Sequence, residues 1–515
     1  MIFYNIKLRA FAAAFTMLLS TGLLQSYAQH KEAAQLASPA KLAKLKAAVE
    51  AAPNKLSAHD AYLKAAGADN PKVIAQYAAW MKKYPKLATV PYAIAKAYLD
   101  EESPKAKPYL LKAVAIDPKF TEAWGGLWID GERWGDFTVS RGYLAKAAAS
   151  DPSNAQYAFY YASSFDGIDE TKWKEMSLDV AKRFPNDERG AQSLYWLAER
   201  SKRSADKMKY FELLHNSFAP GKFNWSAGGM FSYFNILLSE NPEKALELAR
   251  EMVKTEKEEK KEWPGMVLQA QAVAKAKVLM DEKKGAEAFA ELKQLKMPRY
   301  SSFKTDLELL KAQANDIAGN TAAAYDSLIV VFAKSPSAAL RTAIGNYGNK
   351  LGKNTTQTDA DIWGRLNANA QIATPFNGLK RYLSPGTASL SDYKGKVVLL
   401  TYWFPGCGPC RGEFPHFENV VRKFKGQNLE YLGINIVSQQ NDYVVPFVKS
   451  SGYSFTPLEE VEGRAKGNLD NRDAAPMNFL IDKEGRLIFS NFRTDGNNEE
   501  DLELMINLLL NPKQA

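Results

Sequence analysis

The chain has 515 residues, 46% of them hydrophobic and 24% charged, with a formal charge of +9. That length can bury ample core without covalent staples and points to two or more domains. The positive excess is spread along the chain with no basic stripe interleaved with aromatics, so no nucleic-acid partner is expected. The mixed run from Lys254 to Glu262 alternates in sign and reads as a solvated helix face.

At the N-terminus, Lys7 and Arg9 precede an apolar stretch from Ala10 to Leu24, and Ser26-Tyr27-Ala28 places small residues at the two positions a signal peptidase reads. The apolar stretch is short for a membrane span and is broken by Thr16, Ser20 and Thr21. Residues 1–28 are therefore expected to be a signal peptide, with an uncleaved N-terminal anchor as the alternative. No cysteine stands at its end for lipid attachment. The expected compartment is the bacterial periplasm, and the chain is expected to be soluble after cleavage.

Residues 29–351 carry Ala, Leu, Lys and aromatics at three- and four-residue spacing, the pattern of amphipathic helices. Prolines at 53, 85, 118, 152, 185 and 220 are separated by 32, 33, 34, 33 and 35 residues. Each marks a turn after a helix has ended, because proline cannot continue one. Between Thr121 and Pro152, Trp124 and Leu127 stand early in the first helix, Gly135 at the turn and Ala147 in the second helix. This region resembles the tetratricopeptide repeat, a helix-turn-helix unit of 34 residues closed by proline. Stacked repeats form a long concave surface, so the resemblance implies a bound protein or peptide partner. The polar stretch from Gly352 to Asp361 breaks the pattern, and residues 352–371 are read as a linker region.

From 372 to 515 the periodicity changes. The apolar runs Lys396–Trp403 and Leu429–Val437 suit strands buried on both faces. "MNFLID" and "RLIFSNF", split by Lys483-Glu484-Gly485, form a hairpin, and helices are expected between the first two strands and over Glu499–Leu510. The only two cysteines, Cys407 and Cys410, fall between the first strand and its helix. A zinc site lacks ligands: the histidines are His30, His59, His215 and His416, and only His416 lies near. A disulfide staple across so short a loop would remove little chain entropy. A redox dithiol is the chemistry left, and Cys-x-x-Cys in a βαβ setting signals a thioredoxin-like fold.

"LSDYKGKVVLLTYWFPGCGPCRGEFP" resembles the TlpA/ResA-like thioredoxins over about Thr374 to Ala515, with Trp403, Pro415 and the stretch "AAPMNFLIDKEGRL" also matching. The resemblance implies a redox-active Cys407–Cys410 pair. Cys407, at a helix N-terminus where the dipole favours thiolate, attacks a substrate disulfide, and Cys410 resolves the mixed disulfide. It also implies Glu413 as a proton carrier for Cys410; an ordinary solvated Glu near a helix start is the other reading. Pro476, preceded by Ala475, maps to a cis-proline that would offer a backbone edge to substrate; an ordinary turn proline is the alternative. Trp403, Gly408, Pro409, Ala475 and Pro476 form the expected substrate-binding set. Three departures stand out. Gly406 replaces the usual Trp and is expected to widen access or loosen the loop, Thr401 replaces a buried Asp of thioredoxin, and Ala475 replaces a Thr or β-branched residue.

The expected activity is that of an exported thiol–disulfide oxidoreductase, a disulfide reductase acting on protein substrates and fed by a membrane electron donor, with the repeats docking a protein partner. No cofactor or metal is expected. An oxidase or isomerase of the same fold, or a repeat-based binding scaffold with an accessory redox domain, are the alternatives. A peroxidase ranks below these because Phe404, not Thr, lies three residues before Cys407.

Overall fold

The computed structural model describes residues 37–255, 262–298 and 301–512. The leader at 1–28, with its cleavage site, lies outside the described residues, as does most of the charge run at 254–262. Among the described residues no helix is long and apolar enough to cross a membrane.

The chain is multidomain: an all-α helical array followed by an α/β part. After a first helix, Pro39–Ala51, which packs on Leu56–Ala66, helices succeed one another as far as Thr355–Asn369, most of them packed on the next in sequence. The periodic prolines sit where the spacing places them. Pro53, Pro85, Pro118, Pro152 and Pro185 lie two residues beyond helix ends at Ala51, Lys83, Ile116, Ser150 and Arg183. Trp124, Leu127 and Ala147 are buried in one cluster with Leu110 and Ala113. Large side chains fill the space that small ones leave between close helices. Gly135, at φ +71°, makes the turn between Thr121–Arg133 and Phe137–Ser150, a backbone region that favours glycine.

Residues 352–371, read as a linker, are instead mostly helical. Helix Thr355–Asn369 starts with a capping box in which Asn354 and Gln357 satisfy each other's backbone N–H groups. Its apolar face (Ile362, Trp363, Leu366) is buried against the preceding helices. Polar capping chemistry made a helix start look like a break.

Among the described residues eight strands follow: β1 (Gln371–Ile372), β2 (Leu379–Lys380), β3 (Thr387–Ala388), β4 (Val397–Trp403), β5 (Leu429–Asn435), β6 (Thr456–Glu459), β7 (Met477–Ile481) and β8 (Arg486–Ser490). Six form a sheet in the order β1-β8-β7-β4-β5-β6, with β4, β5 and β6 parallel and β7 and β8 antiparallel. Alternation along central β4 divides the core, since successive side chains point to opposite faces. Val397, Leu399 and Trp403 pack with helices Gly408–Lys423, Asn441–Ser451 and Glu499–Leu510. Val398, Leu400 and Tyr402 pack with Phe376, Leu379 and Tyr393 from the lead-in segment. The expected strands, hairpin and C-terminal helix are all present.

The two parts share structure. One apolar cluster runs from Leu340, Ile344 and Trp363 of the array into Leu502 and Leu509 of the C-terminal helix. A second junction joins the array's 101–137 region to helix Asn441–Ser451. There Tyr443 Oη donates to Asp130 Oδ1 at 2.9 Å, and the Trp134 and Tyr443 rings lie 5.5 Å apart. A Cβ on Gly135 would come within 2.6 Å of the Phe447 carbonyl oxygen, so the backbones meet closely.

Candidate active site

Strand β4 ends at Trp403, and four residues later Cys407 becomes the N-cap of helix Gly408–Lys423. Its Sγ accepts the backbone N–H of Cys410 at 3.2 Å, one of the donors that a helix start leaves without a helical partner. Pro409 at the second helical position costs nothing there, since its missing N–H would be unpaired anyway. Cys407 and Cys410 are disulfide-bonded. Cys407 is 2% exposed and Cys410 fully buried, so any attack from outside must fall on Cys407. Among the described residues no cluster of His, Cys, Asp or Glu could hold a metal.

Beneath the cysteines lies a buried polar chain. Thr401 Oγ1 donates to Asn478 Oδ1 at 3.0 Å, and Asn478 Nδ2 donates to Glu413 Oε2 at 3.0 Å. The other Glu413 oxygen accepts the Thr494 N–H at 3.0 Å and pairs with Arg493 at 3.1 Å. Burial pushes the Glu413 carboxyl above its ordinary range, and the Arg493 charge and these hydrogen bonds only partly oppose this. Glu413 is thus not the solvated helix-start residue of the alternative reading. Thr401, where thioredoxin has an acid, is tied into the same chain.

The remaining expected residues divide. Gly408 is exposed and Pro409 and Ala475 half-buried at the cysteine end, while Pro476 is buried and the Ala475–Pro476 peptide is cis. Arg493 Nη1 donates to the Pro476 carbonyl at 2.6 Å and so connects this segment to Glu413. Trp403, expected to bind substrate, is 0% exposed and packed among Phe414, Phe447 and Phe455. A side chain enclosed on all sides cannot contact a substrate; it supports the loop from below. Gly406 does not loosen the loop either. Its N–H donates to Gln440 Oε1 at 2.6 Å, and a Cβ there would lie 2.8 Å from Gln440 Nε2. Asn478, Arg493 and Gln440 escaped the sequence reading because none belongs to a local pattern with the cysteines.

This is a thioredoxin-like domain with a Cys-x-x-Cys disulfide at a helix N-terminus. Residues 371–490 match the AhpC/TSA family. The thiol-disulfide oxidoreductase ResA of Bacillus subtilis (strain 168) is 37% identical over 101 residues, which is 19% of this chain and 54% of that protein. ResA of Geobacillus kaustophilus (strain HTA426) is 34% identical over 98 residues, 19% and 55% of the two chains. A crystal structure of a putative thiol:disulfide interchange protein DsbE from Chlorobium tepidum is 28% identical and covers 27% of this chain and 96% of its own, with a TM-score of 0.25. The chain spans about half the length of the curated relatives it matches. The C-terminal part is therefore a thioredoxin-like domain homologous to ResA-type oxidoreductases, carried behind a helical array.

Proposed function

We propose that the protein is an exported thiol–disulfide oxidoreductase that runs Cys407–Cys410 as a disulfide–dithiol couple and reduces disulfides in protein substrates. The observation that carries this reading is Cys407 at the helix N-cap, its sulfur facing the Cys410 N–H, with Cys410 fully buried behind it. The helix dipole and this donor favour a Cys407 thiolate. That thiolate attacks one sulfur of the substrate disulfide, whose S–S bond breaks, leaving a mixed disulfide. Cys410, having lost its proton, then attacks Cys407 Sγ and releases the substrate as a dithiol. Two electrons pass from the protein to its substrate.

Glu413 is the proposed carrier of the Cys410 proton. It lies one helical turn on from Cys410, and its raised affinity for protons suits exchange nearer neutrality than an ordinary carboxylate allows. Gly408, Pro409, Ala475 and Pro476 are the proposed substrate contacts. Reduction rather than oxidation is favoured by the Gly-Pro dipeptide, which resembles reducing thioredoxins at about −270 mV against about −120 mV for a strong oxidant such as DsbA. A reductase in an oxidising compartment needs replenishing, so a membrane electron donor is part of the proposal. The helical array is the proposed dock for a protein substrate or that donor.

A Cys410→Ser chain tests the order of events. It should accumulate a mixed disulfide through Cys407 when mixed with a disulfide-bonded protein such as insulin, and Cys407→Ser should accumulate none. Equal trapping through either cysteine, or none with the Cys410→Ser chain, contradicts the assignment.

A further inference from the structure

The loop before Cys407 is held from outside its own domain. Gln440, fully buried, accepts the Gly406 N–H through Oε1 at 2.6 Å and donates through Nε2 to Glu102 Oε2 at 2.5 Å. Glu102 belongs to the array, 338 residues away in sequence. It sits in the turn after helix Thr89–Asp100 with φ +54°, a region that a residue with a Cβ enters at a cost and keeps only when its surroundings enforce it. Its second oxygen pairs with Arg133 Nη2 at 2.9 Å. A second link holds the other polar group of the same peptide unit. Arg411 Nη1 donates to the Pro405 carbonyl at 3.2 Å, and Arg411 Nε pairs at 3.3 Å with Glu132 of the array. Glu132 is itself fixed by the Ser140 hydroxyl at 2.6 Å. The two array carboxylates thus hold Pro405 and Gly406, the residues that lead directly into Cys407.

We propose that Glu102 and Glu132 are positioning residues for the redox loop, acting through Gln440 and Arg411, so that docking of the helical array sets how Cys407 is presented to an attacking thiol. The inference rests on the dithiol–disulfide reading above, and it gives the glycine at 406 a reason. Any side chain there would occupy the space of the Gln440 amide that links loop to array.

The consequence appears in the reduction of the oxidised protein. A thiolate of dithiothreitol attacks Cys407 Sγ, the Cys407–Cys410 bond breaks and Cys410 leaves as thiolate. The second thiol of the reagent then displaces Cys407 and closes its own ring disulfide, so two electrons enter the protein. The incoming sulfur needs access to a Cys407 that is 2% exposed while the loop is held. In the full-length chain, Glu102→Ala and Gln440→Ala should each raise the second-order rate constant of reduction about fivefold or more. The double variant should react no faster than either single one, because both break the same link. Glu102→Gln, which keeps an acceptor for Gln440, should stay within about twofold of the parent, which separates positioning from general loosening. Glu132→Ala should shift the rate in the same direction through Arg411.

Unchanged rates in variants that retain the parent thermal midpoint would overturn the proposal, as would multiplicative effects in the double variant. Should the array substitutions fail to fold, Gly406→Ala displaces the Gln440 amide without altering the array, and an unchanged rate there overturns the proposal equally. Resistance of parent and variants alike would also count against it. Failure of the functional reading looks different: normal reduction by dithiothreitol with no transfer of electrons onward to a protein disulfide.

Discussion

Glu413 shows how much one side chain depends on distant ones. Its carboxyl sits above its ordinary range because burial penalises the charge more than Arg493 and its hydrogen-bond donors favour it. The sign of the stability effect follows. A carboxyl whose folded value is raised binds more protons in the folded than in the unfolded chain, so its penalty is absent at low pH and grows as pH rises through the raised value. Glu413→Gln, neutral throughout, should therefore flatten the fall in thermal midpoint as pH rises above the ordinary carboxylate range. The same substitution should slow release of substrate by Cys410 on the order of a hundredfold, the low end for a positioned proton carrier. A stopped-flow pH series would show both the slowing and the loss of one limb. The spacing of Cys410 and Glu413 was legible because it is local. Asn478 and Thr494, which hold the carboxylate, lie 65 and 81 residues away and are brought in only by the fold. Trp403 misled for a related reason: a motif match says that a residue matters, and only burial says whether it touches substrate or core.

Among the elements, the long apolar runs of β4 and β5 and the proline-punctuated helices were readable from periodicity alone. β6 and helix Asn441–Ser451 were not. β6 has four residues including Pro457, and the helix contains Pro446 and adjacent valines, features that argue against regular structure when packing is unseen. Packing overrides them, since Tyr443, Val444 and Phe447 are all fully buried. Helix Thr355–Asn369 was hidden by its own cap. Asn354→Ala removes the side-chain acceptor for the Gln357 N–H and should cost about 1 kcal/mol. The measurable result is a lower midpoint for the cooperative unit that contains Trp363, followed by tryptophan fluorescence. No change would mean that packing alone holds the helix.

At the scale of the whole molecule, the array and the thioredoxin-like part meet beside the active site and again behind the C-terminal helix. None of this was visible in sequence, because contacts such as Glu102 with Gln440 join segments more than 300 residues apart without any pattern in either. Through Gln440 and Arg411 the array touches the loop before Cys407, the basis for the proposed positioning role of Glu102 and Glu132. The proposed direction of electron flow is from Cys407–Cys410 to substrate, and the potential of the pair tests it most directly. The measurement is the equilibrium potential of Cys407–Cys410 in the full chain against a graded dithiothreitol or glutathione buffer, scored by alkylation shift with Cys407→Ser as control. A value below about −230 mV, toward the thioredoxin end of the range, is the predicted result. A value above about −180 mV would contradict it and make the protein an oxidase or isomerase.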